Sequence, residues 1–230
     1  MDKRFYSATL PDAGEIHLDG PEAHHLMKVM RLPVGERVEL FDGAGTVVTA
    51  EIRVLGKRDV TLAVSDRKWF PQATAPLTLA VAVPKGDRFD WLVEKATELG
   101  VARLIPLRTS RGVVDPRDTK LERLRNVIIE SCKQSRRPWL MELSAPQDFS
   151  VVIHSKEHCL VADPSGSALP AAITVKNTAT VIAIGPEGGW TADELAAARS
   201  AGAAIVSLGD SILRIETAAV AVASWWRLTS

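Results

Sequence analysis

Apolar positions recur with two different periods along this 230-residue chain. Residues 37–41, 47–54 and 59–64 alternate apolar with polar and are rich in β-branched side chains, which predicts strands with one buried face. Glycine-bearing turns at 42–45 and 55–59 separate them. A short helix is predicted over 21–30, with Pro21 near its first turn. Residues 69–76 carry two prolines and small side chains and fit neither period. Beyond Leu77 the rhythm becomes strand, loop, helix. Short apolar runs at 77–83, 103–107, 158–162, 180–184 and 204–208 predict buried strands. Pro106 is expected to confine its strand to an edge or a bulge. Between the runs, helical spacing appears at Phe89, Leu92, Val93, Ala96 and Leu99, with Asp87 as cap and Gly100 as stop. It appears again over 118–134, and a last helix is predicted over 216–226. Thr191 and Glu194 have the spacing of a capping box. The pattern predicts a β-rich domain at residues 1–70, a linker at 71–76, and at 77–230 an α/β domain with a mainly parallel sheet.

Two of the predicted strands end in glycine. Ile184 is followed by Gly185-Pro-Glu-Gly-Gly189, and Leu208 by Gly209. In open α/β sheets the carboxyl edge is where ligands sit, and glycine lets main chain approach them closely. The C-terminal fifth therefore reads as a nucleoside-type site built from backbone. No G-x-x-x-x-G-K-[ST] string occurs, nor a G-x-G-x-x-G after a first strand, which argues against a P-loop and a dinucleotide fold.

Composition narrows the class. Apolar residues make up 46% and charged residues 24%, ordinary values for a globular chain. Cys132 and Cys159 form no disulfide framework or C-x-x-C zinc pattern, so no metal is expected. No secretory signal and no uncharged apolar stretch of membrane-spanning length is present, which predicts a cytoplasmic protein with no membrane partner. Net charge is zero, yet residues 101–140 hold ten Lys or Arg against four acids, while 141–230 hold five against nine. Such segregation suits an anionic partner on one face, or a solvated helix surface. The first 70 residues, with ten basic and eleven acidic side chains, are not an electrostatic attractor.

Ile184-Gly-Pro-Glu-Gly-Gly-Trp190, Thr191-x-x-Glu194, Leu208-Gly209 and Ile212-Leu-Arg-x-Glu-Thr-Ala218 closely resemble the RsmE-type ribosomal RNA uridine-N3 methyltransferases, of the SPOUT class. Pro84-Lys-Gly-Asp-Arg88, Lys95-Ala-Thr-Glu-Leu-Gly100 and Gln134-Ser135-x-Arg137 are similar to that family's middle motifs. His25-Leu-x-x-Val-x-Arg31 and Leu40-Phe-Asp-Gly43 are similar to its N-terminal ones. The resemblance implies a PUA-like β-barrel domain followed by a SPOUT domain, whose chain near 209–217 threads an earlier loop as a trefoil knot. It implies a homodimer that transfers a methyl group from S-adenosylmethionine to N3 of a uridine near the 3′ end of small-subunit ribosomal RNA, in the 30S particle. The rival readings are a non-catalytic RNA-binding or assembly factor, and a methyltransferase with another RNA target.

For the cofactor, the expected residues are Ile184, Gly185, Pro186, Glu187, Gly188, Leu208, Gly209, Ile212, Leu213, Glu216, Thr217 and Ala218. Glu187 reaches a ribose hydroxyl or caps the next turn. For catalysis, an arginine that stabilises charge developing on O2 or O4 of the uracil is expected. Arg137 is the first candidate, with Arg111 and Arg214 behind it. Arg214 could equally hold the cofactor carboxylate, contact RNA or pair with Glu216. Glu130 orients an arginine or accepts the N3 proton, and substrate positioning without a base is an equal alternative. Glu130, Gln134 and Arg137, at i, i+4 and i+7, are expected on one helix face. Arg136 stands where the family's Gln-Ser-Gly-Arg string has glycine. For RNA contact, Arg4, His25, Lys28, Arg31, Lys85, Arg111, Gln134 and Arg136 are the candidates, with Lys28 and Arg31 as i, i+3 neighbours. The six tryptophans stack on bases or fill cores, and Trp225-Trp226 suits a subunit contact.

Overall fold

A computed structural model describes residues 3–114, 118–155, 157–169 and 178–229, and the side chains of 118–120 also fall outside the description. Asp115, Arg117, Asp118 and Lys120 of the charged segment are among the side chains left out. Contacts divide the chain into two units. The first is Met1–Gln72 with Cys132–Leu140, and the second is Ala73–Ser131 with Met141–Ser230.

In the N-terminal unit, strands β1 (Arg4–Tyr6), β2 (Glu15–Leu18), β3 (Arg37–Phe41), β4 (Thr46–Leu55) and β5 (Val60–Trp69) form one sheet in the order β1-β3-β4-β5-β2. Only the β1–β3 pair is parallel. Alternation decides the faces: Val38 and Leu40 enter the core while Arg37 and Glu39 point outward. Phe5, Leu26, Leu40, Ile52 and Leu62 are fully buried there.

The helix expected over 21–30 begins as α1 (Gly20–His24) and continues as a π-helix, His25–Val29. Met30 N–H donates to His25 O and Leu32 N–H to Leu26 O. Arg31 then turns left-handed at φ 52°. Lys28 and Arg31 are consequently not stacked i, i+3 neighbours, because Arg31 has left the helix.

A distant segment completes this unit. Lys133 Nζ pairs with the Glu22 carboxylate at 3.0 Å. Trp139 Nε1 donates to Phe70 O, and Gly45 and Leu140 N–H bond to Pro138 O and Gly43 O. The turn accepts this segment because it is glycine. A Cβ at Gly43 would lie 2.5 Å from Leu140, and one at Gly45 2.7 Å from Trp139, with φ at +72° and +98°.

In the C-terminal unit, strands β6 (Leu77–Ala82), β7 (Arg103–Arg108), β8 (Glu142–Leu143), β9 (Gln147–Asp148), β10 (His158–Ala168), β11 (Thr180–Ile184) and β12 (Ala204–Ser207) form a sheet in the order β12-β10-β11-β6-β7-β8. β9 also pairs with β7, and every pairing is parallel. Helices α2 (Arg88–Glu98), α3 (Asp118–Ser135), α4 (Phe149–Ile153), α5 (Ala192–Ser200) and α6 (Ile215–Thr229) alternate with the strands. β6 and β11 are buried throughout, as strands covered on both faces must be. α2 and α6 pack on each other, and α4 packs on α5. The contacts assign the last turn of α3, Cys132–Ser135, to the N-terminal unit.

Pro106 sits inside the sheet rather than at its edge, paired with Val81. It is tolerated because the outer ladder of β7 is broken there: β8 pairs with 103–104 and β9 with 107–108. β10 runs six residues beyond its expected end, with a register shift between Ala162 and Ser167. A Cβ at Gly166 would lie 2.4 Å from Val206 N, so glycine allows this second approach to β12. Residues 170–177, between β10 and β11, lie outside the described residues.

Candidate functional site

The register brings the ends of β11 and β12 to either side of the middle of β10. Ala162 on β10 pairs with Ile184 on β11 and with Val206 on β12. The chain reaches β11 on one side of β10 and returns to place β12 on the other. This is a topological switch point, where the loops leaving the strands diverge and open a crevice. A cavity of about 300 Å3 lies there, at the small end of ligand-site volumes.

Its walls come from three segments. Ile184 to Trp190 form the first, Ser207 to Gly209 with Ser211 to Leu213 the second, and Ala162 to Pro164 the third; Ile215 and Ala218 of α6 close one side. Glu216 and Thr217 are not part of the lining. Ala162, Asp163, Pro164, Gly189, Trp190, Ser207, Ser211 and Ile215 line the cavity as well and are not among the residues expected from the sequence. A strand-end signal existed for Asp163-Pro164, since they follow the apolar run 158–162, but no glycine marks them.

Each glycine has a separate reason. A Cβ at Gly185 would lie 2.8 Å from the Trp190 ring. Trp190 is itself fixed: its indole N–H donates to Ala162 O at 2.9 Å and its ring lies 4.3 Å from Phe149. Gly209 has open space around it and a φ of +116°, a conformation that other residues rarely adopt.

Charged side chains around the cavity bind one another and the main chain. Arg88 Nη1 lies 3.0 Å from Glu187 and 3.6 Å from Glu216, and its Nε donates to Lys85 O. One guanidinium thus links the loops after β6 and β11 to the start of α6. In the structure Glu187 pairs with Arg88, a contact that neither expected role included, and Glu216 pairs with Arg88 rather than with Arg214. Arg88 was passed over because nothing local to residues 84–88 reveals its distant partners. Arg111 Nη1 donates to Gly188 O at 2.7 Å and Trp190 O at 3.4 Å, so it clamps the glycine loop. Glu194 accepts from Ser110 N–H and from Thr191, completing the capping box of α5. Burial acts to raise the Glu194 carboxyl, and the hydrogen bonds from Ser110 and Thr191 outweigh it and hold the group below its ordinary value.

These walls fit S-adenosylmethionine. Glycine loops offer main-chain donors and acceptors to an adenine. Ile212, 91% exposed at the rim, offers an apolar surface for a bound group to cover. Glu216 Oε2 is buried without a hydrogen-bond partner among the described residues. Among those residues no group of His, Cys, Asp or Glu could hold a metal ion, and no helix is long and apolar enough to cross a membrane. Cys159 is pushed up to about 11, by burial first and then by Glu157, so its thiol is unreactive at neutral pH.

The remaining candidates are spread out. Lys85 is exposed in the loop after β6, and Arg214 is exposed ahead of α6. Glu130 and Gln134 are exposed on α3. Arg137 lies beyond the end of the helix, so the i, i+7 spacing does not by itself place it on their face. α3 ends at Ser135, Arg136 turns left-handed at φ 59°, and Arg137 N–H closes on Cys132 O. This is a Schellman-type ending with arginine in the glycine position. Arg4 is buried, bonded to Arg137 O and Glu39 and lying 4.5 Å over Phe41. His25 is edge-on to Phe5 at 6.1 Å. Lys28, Arg31 and Arg136 are exposed.

Comparison with known proteins places this arrangement. A family model for the RNA methyltransferase domain matches residues 71–227, and one for the RNA methyltransferase PUA domain matches residues 18–65. Ribosomal RNA small subunit methyltransferase E of Synechocystis is 34% identical, over 88% of this chain and 69% of its own. That of Rickettsia conorii is 32% identical, over 89% and 86%. Among solved structures, the Neisseria gonorrhoeae ribosomal RNA small subunit methyltransferase E bound to S-adenosyl methionine superposes with a TM-score of 0.91 at 29% identity, covering 99% of this chain and 98% of the other. A putative methyltransferase of Legionella pneumophila in complex with the same cofactor gives 0.88 at 29%, with 99% and 98% covered. The chain, an N-terminal PUA domain followed by a parallel-sheet SPOUT-type methyltransferase domain, belongs to the RsmE family of ribosomal RNA small subunit methyltransferases.

Proposed function

We propose that this protein methylates N3 of a uridine in small-subunit ribosomal RNA, with S-adenosylmethionine as methyl donor. The observation that carries the reading is the backbone-walled cavity where β11 and β12 end beside Ala162 of β10 in a chain of this family. When bound, the cofactor supplies an electrophilic methyl on a sulfonium sulfur. The segments Ile184–Gly188 and Leu208–Leu213, with Ala218, hold it, and Arg88 and Arg111 keep those segments in place.

On the substrate side the proton at N3 must leave and negative charge must be stabilised on the uracil oxygens. Arg137 is assigned that stabilising role, because a guanidinium is always charged and presents a donor fork. Glu130 is the candidate to orient it or to accept the proton, and Arg214, exposed ahead of α6, is the second cation. Residues 1–70 form the RNA-binding domain, 71–76 the linker and 77–230 the catalytic domain. The protein acts in the cytoplasm as a homodimer. The exposed Leu228 on α6, at 84%, and the Trp225–Trp226 pair support a subunit contact through the last helix.

The test is nucleoside mass spectrometry of ribosomal RNA from cells lacking the gene, with the purified protein, labelled cofactor and 30S particles as complement. Loss of 3-methyluridine, restored by the enzyme, is expected. An unchanged 3-methyluridine level with another modification missing would overturn the assigned base atom. Failure to bind the cofactor in calorimetry would overturn the catalytic reading altogether.

A further inference from the structure

A second pocket, of about 340 Å3, lies wholly within the N-terminal unit and is lined by Lys3, Arg4, Arg37, Val38, Glu39, Thr49 and Arg136. Four of these seven are cations and one is an acid. The register explains the gathering. Arg4 on β1 pairs with Glu39 on β3, which pairs with Thr49 on β4, so the three lie in a row across the sheet. Arg37 stands one pleat along on the outward face of β3.

Part of this charge is neutralised in place. Lys3 pairs with Glu36 at 2.9 Å, and Arg4 with Glu39 at 3.1 Å. The Arg37 guanidinium has no partner among the described residues, and Arg136 arrives from a segment nearly a hundred residues away. Residues 1–70 are by themselves slightly acidic, but Cys132–Leu140 adds Lys133, Arg136 and Arg137 and no acid to the unit. The positive pocket therefore exists only once the chain has folded.

Backbone conformation gives a second, independent observation. Arg136 occupies a left-handed slot at φ 59°, which disfavours any side chain and suits glycine. A residue kept in a strained conformation whose side chain lines a cationic cavity points to use of that side chain.

We infer that this pocket seats a phosphate group of the RNA backbone, with Arg37 and Arg136 as its donors and Thr49 as a neutral hydrogen-bonding wall. The inference rests on the reading that the substrate is RNA and is separate from the cofactor cavity. Contacts of this kind position a nucleic acid without reading its sequence. They are salt-dependent, because each phosphate neutralised releases condensed counterion.

The experiment uses the full-length protein and a fluorescein-labelled single-stranded 12-nucleotide RNA, with anisotropy titrations from 50 to 300 mM KCl. Arg37→Ala and Arg136→Gly are each expected to weaken binding about tenfold and to reduce the slope of log affinity against log salt by about 0.7. Arg136→Gly is also expected to raise the melting temperature by roughly 2–4 °C, because glycine relieves the left-handed strain. A weakened complex thus cannot be ascribed to misfolding. Variants that bind RNA with wild-type affinity and salt slope would overturn the inference. So would competition by millimolar inorganic phosphate for this pocket with RNA binding untouched, which would make it a site for free phosphate. A wild-type protein that binds neither this RNA nor 30S particles would sink the RNA reading and this pocket together, whereas unaltered variants of an RNA-binding wild type sink the pocket alone.

Discussion

The cavity of the C-terminal unit and the pocket of the N-terminal unit are similar in volume and differ in material. The first is walled mainly by glycine loops and apolar side chains; of its charged lining residues, Asp163 accepts from Ser165 and Glu187 pairs with Arg88, and the neighbouring Arg88, Glu216 and Arg111 are engaged with each other or with carbonyl oxygens. The second is lined by charged side chains projecting from a strand face and a helix end. Left-handed backbone appears at both, as Gly209 in one and Arg136 in the other. A site made of main chain is damaged by adding atoms. A site made of side-chain charge is damaged by removing them. The two kinds of substitution should therefore separate cofactor binding from RNA binding.

The largest effect is expected from Arg137→Ala. If it stabilises charge on the uracil, its loss should lower turnover by roughly 100-fold or more and leave cofactor affinity near normal. Single-turnover methylation of 30S particles measures the first and calorimetry the second. A tenfold loss of cofactor affinity would erase the separation, because a side-chain cation would then serve the main-chain site.

Gly185→Ala adds one carbon 2.8 Å from a tryptophan that is itself hydrogen-bonded to β10. Overpacking of this kind costs about 1–3 kcal/mol. Absorbed by the loop, that amounts to a cofactor affinity reduced by about five- to 150-fold. Gly209→Ala meets no atom within 4 Å and only the strain of φ +116°, about 1–2 kcal/mol, so its effect should be the smaller. Equal affinities for wild type and Gly185→Ala would show that this loop is not the cofactor's wall. Arg88→Ala should fall next in rank, about a tenfold loss of cofactor affinity, since it releases three segments at once but leaves their main chain intact. An unchanged affinity for that variant would make the Arg88 links a surface ornament of the fold, as many exposed ion pairs are.

These features were unequally visible in the sequence. Strand ends followed by glycine, and the Thr191–Glu194 box, are local signals, and the structure places both where the apolar periods put them. The parallel sheet follows from strands alternating with helices. What could not be read was long-range. The packing of Trp139 and Leu140 on Gly43 and Gly45 joins residues almost a hundred positions apart, and no period records it. For that reason the charge balance of residues 1–70 gave no hint of a cationic pocket. The π-helix at His25–Val29 was hidden because one extra residue per turn barely alters an apolar stripe. Arg88 and Asp163 escaped notice because their partners and neighbours are set by strand order, which the one-dimensional pattern does not carry.

The smallest expected effect concerns the frame beneath the cofactor cavity. Glu194 binds the Thr191 end of α5 and the Ser110 N–H of the loop that also carries Arg111. Its folded-state carboxyl is held below its ordinary value of 4.5. Such a group binds fewer protons folded than unfolded between the two values. Its contribution to stability is therefore present in full above the unfolded value and is lost as pH falls through the folded one. Glu194→Ala should lower the melting temperature at pH 7 by a few degrees, in line with the loss of about 1 kcal/mol expected for a capping interaction. The gap between variant and wild type should narrow as pH falls below about 4.5. Melting curves from pH 7 to pH 3 provide the check. A gap that stays constant with pH would mean that Glu194 acts by packing and not by charge, and the link between the Ser110–Arg111 loop and the glycine loop would then rest on Arg111 alone.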